Sequence, residues 1–219
     1  MMENAIEGKA RLEDDCTIIE TKGIACHASR PYEGHSATLD LLKILCFLYE
    51  DPLCRNLYDI FENSYGKGFE SYVSEDPYEC LSVNLGILKI EKGKVYGQVD
   101  CRYPSQEKAG ILTERLQKHT DLKVHLSYND DPTLCDEKDP YVKTMLETYR
   151  KITRDDSKPV ISGGVSYSKV FKHCVSFGPG RADKPSVAHQ KGEYLLLSDC
   201  VEMFEIYYHT IENLLLLEV

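Results

Sequence analysis

The sequence predicts an α+β or α/β protein, in which a ferredoxin-like (split βαβ) unit is followed by part of an α/β domain. Three observations predict this class. Short runs rich in β-branched residues at 16–25, 81–90, 95–103 and 123–128 indicate strands. Apolar residues at helical spacing over 36–49 and 105–119 place a helix after the first and third strands. The resulting order, strand, helix, strand, strand, helix, strand, is that of the split βαβ fold.

Each element of this first unit has a local signal. The strand at 16–25 ends before Pro31 and Gly34, and Ser36 is placed to cap the helix over 36–49. Residues 51–79 contain several prolines and glycines and predict short helical pieces. A Lys92-Gly93 turn joins the second and third strands as a hairpin. We expect Ser105 to cap the second helix.

A turn-rich break at Asn129-Asp-Asp-Pro-Thr133 predicts a domain boundary. It divides the chain into a lid-like ferredoxin-like domain, 1–129, and a C-terminal segment of a catalytic domain, 130–219. The second part is expected to hold helices at 140–154 and 200–217, and short strands at 158–161 and 174–177. The last helix carries an apolar stripe that we expect to be core: Val201, Phe204, Tyr208, Ile211 and Leu215.

Composition narrows the classes of function. The 36 Asp and Glu residues outnumber the 26 Lys and Arg residues, and no basic run is interleaved with aromatics, so neither a nucleic acid nor a membrane is expected as a partner. No apolar leader or membrane-spanning run is present, and we expect a cytoplasmic protein. The nine cysteines are widely scattered and resemble reduced thiols. The seven histidines form no self-sufficient metal motif.

His27 is the first candidate catalytic residue. It lies in the segment from Gly23 to Ala37, between the end of a predicted strand and the start of a helix. An imidazole at a strand end, beside a small residue and a hydroxyl, can reach a ligand and donate to a developing oxyanion. The alternative is a surface or structural histidine.

Four further motifs follow the His27 segment in a fixed order along the chain. They are Asn84-Leu-Gly86, Asp100-Cys-Arg-Tyr-Pro104, Gly163-Gly-Val-Ser-Tyr167, and Phe177-Gly-Pro179 with Ala188-His-Gln-Lys-Gly-Glu-Tyr194. Together they resemble the two-zinc metallopeptidase family that includes peptidase V-type dipeptidases, carnosinases, aminoacylases and succinyl-diaminopimelate desuccinylase. The bacterial Xaa-His or peptidase V-like dipeptidases are the most similar in style. Members of this family carry a two-zinc catalytic domain interrupted by a lid of ferredoxin-like topology.

The resemblance implies a role for each matched residue. His27 would stabilise the tetrahedral oxyanion, Arg102 would bind the substrate carboxylate, and His189 would be a zinc ligand. The remaining matches are substrate-binding residues: Asn84, Gly163, Gly164 and Ser166. Three of these residues also have a structural alternative. Arg102 could pair with a neighbouring Asp or Glu, Asn84 could be an ordinary hairpin-edge residue, and His189 could be a surface histidine. Val165-Ser166-Tyr167-Ser168 departs from the family's loop, so substrate preference stays open.

A two-zinc hydrolase also needs further metal ligands and a general base, and the sequence offers at most one ligand, His189. We therefore expect the C-terminal half of a zinc dipeptidase that acts on dipeptides or short peptides and is inactive alone. One alternative is a non-catalytic lid-like module that associates with itself or with a missing N-terminal half. Another is a fragment of a related N-acyl-amino-acid hydrolase.

Overall fold

The computed structural model describes residues 6–76, 79–160, 162–164, 166–171, 174–178, 187 and 191–217. The chain divides into two compact units, Met1–Pro132 and Thr133–Val219. The first unit begins with an antiparallel hairpin of β1 (Gly8–Glu13) and β2 (Cys16–Thr21). Asp14 and Asp15 form its tight turn, both with positive φ, as a two-residue turn of this kind requires. This acidic pair is thus a turn, as its sequence suggests.

Two capped helices follow, and they supply much of the core. α1 spans Ala37–Tyr49 and α2 spans Pro52–Phe61. The Ser36 hydroxyl accepts the Leu39 N–H at 3.4 Å, which confirms the predicted cap, and the Asp51 carboxylate accepts the Cys54 N–H at 2.8 Å. The two helices bury apolar residues against each other: Leu42 and Cys46 from α1, with Cys54, Leu57, Ile60 and Phe61 from α2.

A second antiparallel hairpin packs on this core. β3 spans Ser82–Glu91 and β4 spans Lys94–Arg102, joined at Lys92 and Gly93, which both have positive φ. Residues directly opposite in the pair share a face. Val83, paired with Cys101, and Leu85, paired with Val99, lie on the face that joins the core. The register shifts at Gly86, where a bulge interrupts the ladder. The predicted hairpin is therefore confirmed. α3 (Ala109–Lys118) completes the unit and buries Leu112.

The second unit consists of two long helices and a short 3-10 turn in its described part. α4 spans Pro140–Thr153 and α5 spans Leu197–Leu215. The helices pack together, and the Asn213 side-chain amide donates to the Thr148 hydroxyl at 2.8 Å. Asp139 caps α4 through the backbone N–H of Tyr141 at 2.8 Å. No helix in the described part of the chain is both long and apolar enough to cross a membrane.

The α+β class is confirmed, but the strands pair differently from the expected order. Within the described residues, β1–β2 and β3–β4 are two separate two-stranded sheets, not one sheet of four strands. Residues 123–128 form no strand. The Gln117 side chain of α3 accepts the Val124 N–H of this segment and donates to the carbonyl of Leu122, just before it, both at 2.9 Å.

Three other details of the sequence prediction were wrong. The second helix begins at Ala109 and not near Ser105, which lies in a turn after Pro104. Residues 158–160 and 174–177 form no strands, and no described strand of the second unit is available to pair with them. The apolar stripe of α5 is exposed instead of buried. Its side chains are between half and four-fifths exposed: Val201 55 %, Phe204 69 %, Tyr208 51 %, Ile211 59 % and Leu215 79 %.

Candidate functional site

His27 lies in a loop whose two ends are joined by backbone hydrogen bonds. The loop leaves after β2 and returns at the start of α1. Ile24 N–H donates to the His35 carbonyl at 2.9 Å, and His35 N–H donates back to Ile24 at 3.0 Å. A Cβ on Gly34 would lie 2.6 Å from the Ile24 carbonyl oxygen, so only glycine permits this approach. We call residues 25–34, which this pair of bonds encloses, the His27 loop.

The hydrogen bonds of the His27 ring fix its neutral tautomer. The ring is exposed, and its Nδ1 accepts the backbone N–H of Ser29 at 3.2 Å. The Ser29 hydroxyl lies 2.7 Å from the same nitrogen. An Nδ1 that accepts a hydrogen bond carries the lone pair, so in the neutral ring the proton is on Nε2. His27 can therefore act as an N–H donor through Nε2, which is the property that oxyanion stabilisation requires.

Cys26 precedes His27 but is poorly suited to act as a nucleophile. Partial burial, followed by the nearby carboxylate of Glu33, raises the pKa of the Cys26 thiol. The thiolate is the reactive form of cysteine, so a raised pKa disfavours nucleophilic catalysis at neutral pH. All nine cysteines are free in the structure.

Asn84 and Arg102 lie on one face of the β3–β4 hairpin. Asn84 pairs directly with Asp100, so their side chains share a face, and Arg102 is two residues further along β4 on that same face. The opposite face is the one buried in the core. The two predicted substrate-binding residues of this unit are thus brought together. We call Asn84, Asp100 and Arg102 the polar face of the hairpin.

The Arg102 guanidinium is held by Asp100. Its Nε lies 2.7 Å from one carboxylate oxygen, and its Nη2 lies 2.9 Å from the other. The side chains are only partly buried, with exposed fractions of 31 % for Arg102 and 39 % for Asp100. The pairing of Arg102 with an acidic neighbour is the structural alternative that the sequence offered. Nη1 takes no part in these two bonds, so the pair orients the guanidinium without using all of its donors.

The His27 loop and the β3–β4 hairpin are packed neighbours. The 3-10 turn of the loop, Pro31–Glu33, packs against β3. Tyr32 of this turn stacks on Tyr65, with ring centroids 5.3 Å apart and an interplanar angle of 12°. Burial is the largest cause that raises the pKa of both phenols. The loop that carries His27 is therefore anchored to the same unit that presents Arg102.

Gly163, Gly164 and Ser166 belong to the second unit. The Gly164 N–H donates to the Ser162 hydroxyl at 3.1 Å, so this backbone amide is already used within the loop. The Ser166 hydroxyl lies 2.5 Å from the Ser168 hydroxyl and 2.6 Å from the Ser176 hydroxyl. His189, the predicted zinc ligand, lies outside the described residues, as does Val165.

The described residues do not fit a zinc centre. No group of three or more His, Cys, Asp or Glu side chains is placed to hold a metal ion within the ranges that the structure describes. Two zinc ions bridged by a carboxylate need more ligands than this. The candidate residues of the first unit instead offer hydrogen-bond donors: a guanidinium, an amide and an imidazole.

Several curated proteins from staphylococci are similar to the chain. A Staphylococcus epidermidis protein named "Putative dipeptidase" is 27 % identical over 221 residues, which cover 96 % of this chain and 47 % of that protein. Proteins with the same description from Staphylococcus saprophyticus and Staphylococcus aureus are 25 % and 26 % identical, each covering 97 % of this chain and 47 % of its own length. The chain thus spans about half the length of the curated relatives it matches. No model of a known protein family matches it.

Sequence reasoning missed two residues that shape this site. One is Asp100, whose two-residue spacing from Arg102 in a strand places both side chains on one face. Ser29 follows His27 by two residues and sets its tautomer. That contact depends on the conformation of the loop, and no sequence signal predicts it.

Proposed function

We propose that the chain is part of a peptidase that hydrolyses dipeptides or short peptides, and that its first unit supplies contacts to the substrate. The similarity of almost the whole chain to proteins named as dipeptidases supports this proposal. The observation that carries it is the Arg102 guanidinium, oriented by Asp100 on the polar face of the hairpin. A peptide with a free C-terminus ends in the group that such a guanidinium binds best, a carboxylate.

In this proposal the substrate carboxylate binds at Arg102, with the Asn84 amide beside it. Asp100 keeps the guanidinium in place, so less conformational freedom is lost on binding. An amide next to a carboxylate site offers N–H donors for the carboxylate or for the peptide group. Because the polar face is backed by buried residues of the same hairpin, the core of the unit fixes its position.

His27 acts on the carbonyl under attack. Its Nε2–H donates a hydrogen bond to the carbonyl oxygen as that oxygen gains negative charge, and this contact strengthens in the transition state. The bonds from Ser29 to Nδ1 keep the proton on the nitrogen that faces away from Ser29. Gly163, Gly164 and Ser166 are proposed to hold the other parts of the substrate, with Gly164 acting through the loop conformation that its bond to Ser162 maintains.

Zinc dependence remains a proposal for the longer protein. Zinc would supply the attacking hydroxide and polarise the carbonyl. The described residues hold no site for it, so we derive no step through the metal, and we propose that the 219-residue chain alone is inactive. His189 would add one ligand. A related N-acyl-amino-acid hydrolase would use the same residues, because its products also carry a free carboxylate.

A comparison of a dipeptide with its C-terminal amide tests whether Arg102 binds a carboxylate. Titration of the chain with a dipeptide, followed by NMR, should shift the signals of Asn84 and Arg102, whereas the C-terminal amide of the same dipeptide should not. Arg102→Lys keeps the charge but loses the planar fork, and should weaken dipeptide binding by about tenfold. Arg11→Lys is the matched control, since Arg11 is also a strand arginine paired with glutamates and should bind as wild type. Equal shifts with the dipeptide and its amide would refute the proposal.

A second candidate function, association with another polypeptide, is favoured by α5. The side chains of its apolar stripe are half to four-fifths exposed, and contiguous exposed apolar surface often marks an interaction site. Self-association or association with the remaining half of a longer protein would bury it. Light scattering tests this: Phe204→Glu should lower the average mass of the chain in solution, and an unchanged mass would remove α5 as the association surface.

A further inference from the structure

The His27 loop is joined to α1 by a partly buried hydrogen bond between His35 and Asp40, to which neither the proposed catalysis nor the comparisons assign a role. His35 closes the loop with its backbone, and its ring Nε2 lies 2.7 Å from Oδ2 of Asp40 in the first turn of α1. The exposed fractions of the two side chains are 25 % and 9 %. His35 is thus hydrogen-bonded to the start of the loop through its main chain and to α1 through its side chain.

Asp40 is an unusual residue for this position. It is a carboxylate on the buried side of α1, close in sequence to Leu42 and Cys46 of the core. A buried carboxylate is strongly destabilising unless a partner satisfies it. Among the described residues, the His35 ring is the side-chain hydrogen-bond partner of the Asp40 carboxylate. The phenol of Tyr58, on α2, is the other titratable group that senses the Asp40 charge. An apolar residue would serve packing better, so the pair points to a purpose beyond core stability.

We propose that Asp40 and His35 are positioning residues for His27. The buried carboxylate fixes the His35 ring, the ring fixes the strand-like bridge between His35 and Ile24, and the bridge fixes both ends of the loop. Inside the loop, the Arg30 N–H donates to the His27 carbonyl at 2.8 Å, and the Ser29 bonds hold the ring. The inference rests on the proposed role of His27 as the donor to the oxyanion.

At its α1 end, the His27 loop is held by the bridge between Ile24 and His35 and by the hydrogen bond from His35 to Asp40. Its second anchor is the Tyr32 stack on Tyr65, which acts on the turn that follows His27. His27 and the two residues before it are exposed, whereas Ala28 and Ser29 are half-buried. A loop fixed at the Tyr32 side and released at the His35 side would keep its fold but lose the orientation of the His27 ring. Loss of the pair is therefore expected to act on the loop before it acts on the unit as a whole.

Amide hydrogen exchange on the full chain tests this. In His35→Ala, the amides of Ile24, Arg30 and His35 should exchange roughly tenfold faster or more, the effect expected when a hydrogen bond to a charged group is lost. The Val83 amide, bonded to the Ser64 carbonyl at 2.8 Å, is the reference and should keep its wild-type rate. His35→Gln retains a side-chain N–H donor and should restore slow exchange in the loop.

The ¹⁵N chemical shifts of the His27 ring are a second measurement. They would stay unchanged if the His35–Asp40 pair only stabilised the unit. In the wild type, the ¹⁵N shifts of its two ring nitrogens should differ as those of an Nε2–H tautomer do. In His35→Ala they should move toward equal values, because the loop no longer holds the Ser29 bonds. Unchanged shifts together with unchanged exchange at Arg30 would overturn the proposal.

Two further outcomes are also decisive. Equal acceleration of Val83 and the loop amides would mean that the pair stabilises the whole unit, and would overturn the positioning role. If His35→Ala does not fold, Asp40→Asn decides: it keeps the volume and one acceptor but removes the charge, and should give a smaller acceleration confined to the loop. A longer protein that contains this chain could also be assayed for hydrolysis. If its His27→Ala variant hydrolysed dipeptides as fast as the wild type, the proposed function would be refuted, but the exchange result would stand. Failure of the proposed function and failure of the positioning role are therefore distinguishable.

Discussion

Substitution of Gly34 by alanine should open the His27 loop. The added Cβ would lie 2.5 Å from Cys26 Sγ and 2.6 Å from the Ile24 carbonyl oxygen. The sulfur can rotate away, but the backbone oxygen can move only if the Ile24–His35 bridge opens, with the loss of its two hydrogen bonds. At about 0.5–1.5 kcal/mol for each bond, the free energy of unfolding should fall by about 1–3 kcal/mol. Gly34 has a φ of −108°, so the effect is steric and involves no left-handed backbone.

Urea unfolding followed by circular dichroism measures this change, and Gly110→Ala is the matched control. Gly110 lies in α3 with nothing within 4 Å of an added Cβ, so alanine there should raise the free energy of unfolding by about 0.5–1 kcal/mol. Adding Cys26→Ala to Gly34→Ala removes the sulfur contact but not the carbonyl contact, and should restore only part of the loss. If Gly34→Ala were as stable as the wild type, or were fully rescued by Cys26→Ala, the assignment of the clash to the backbone bridge would be refuted.

The remaining predictions concern pH, metal and the end of the hairpin. Burial, followed by the hydrogen bond to Asp131, raises the pKa of Tyr103 from 10.0 to about 12. The folded state therefore holds this proton more tightly, and its contribution is complete below pH 10 and lost as the pH rises toward 12. Tyr103→Phe should be less stable than the wild type at neutral pH by about 1 kcal/mol, because it loses the hydrogen bonds to Asn129 and Asp131. The difference in melting temperature between the two proteins should shrink above pH 10. A difference that stays constant with pH would contradict the raised pKa of Tyr103. The 219-residue chain should bind zinc substoichiometrically after gel filtration with a chelator and should not hydrolyse dipeptides, whereas stoichiometric zinc with turnover would contradict our proposal of an incomplete metal site.

Local signals in the sequence were enough to predict many elements but not how strands pair. Ser36 before an apolar-periodic run marked α1, and Lys92-Gly93 between two β-branched runs marked the second hairpin. Residues 123–128 carry a similar strand signal, yet they form no strand, and the Val124 N–H is bonded to the Gln117 side chain. Such competition between a side chain and a ladder depends on tertiary position, which a strand propensity does not contain.

The candidate site shows the same division between local and tertiary information. The period of two along a strand is sufficient to place Asp100 and Arg102 on one face, and the sequence already offered an acidic partner as an alternative reading of Arg102. The ring tautomer of His27 depends on the path of its loop, and the apolar stripe of α5 is exposed in the described part of the chain. An amphipathic pattern predicts which face is apolar, but it does not specify which polypeptide covers that face.

The contacts that orient the candidate substrate-binding residues of the first unit are local to that unit. His27 is held by Ser29 and by the bridge that His35 closes, and Arg102 is held by Asp100, two residues before it on the same strand. None of these contacts uses a metal ligand or a residue of the second unit. The substrate contacts and the metal chemistry of the proposed peptidase are therefore separable: the first unit can keep a bound carboxylate and an imidazole donor in order while the metal-holding residues come from elsewhere in a longer protein. Binding of a dipeptide without its hydrolysis is the behaviour that this separation implies for the chain.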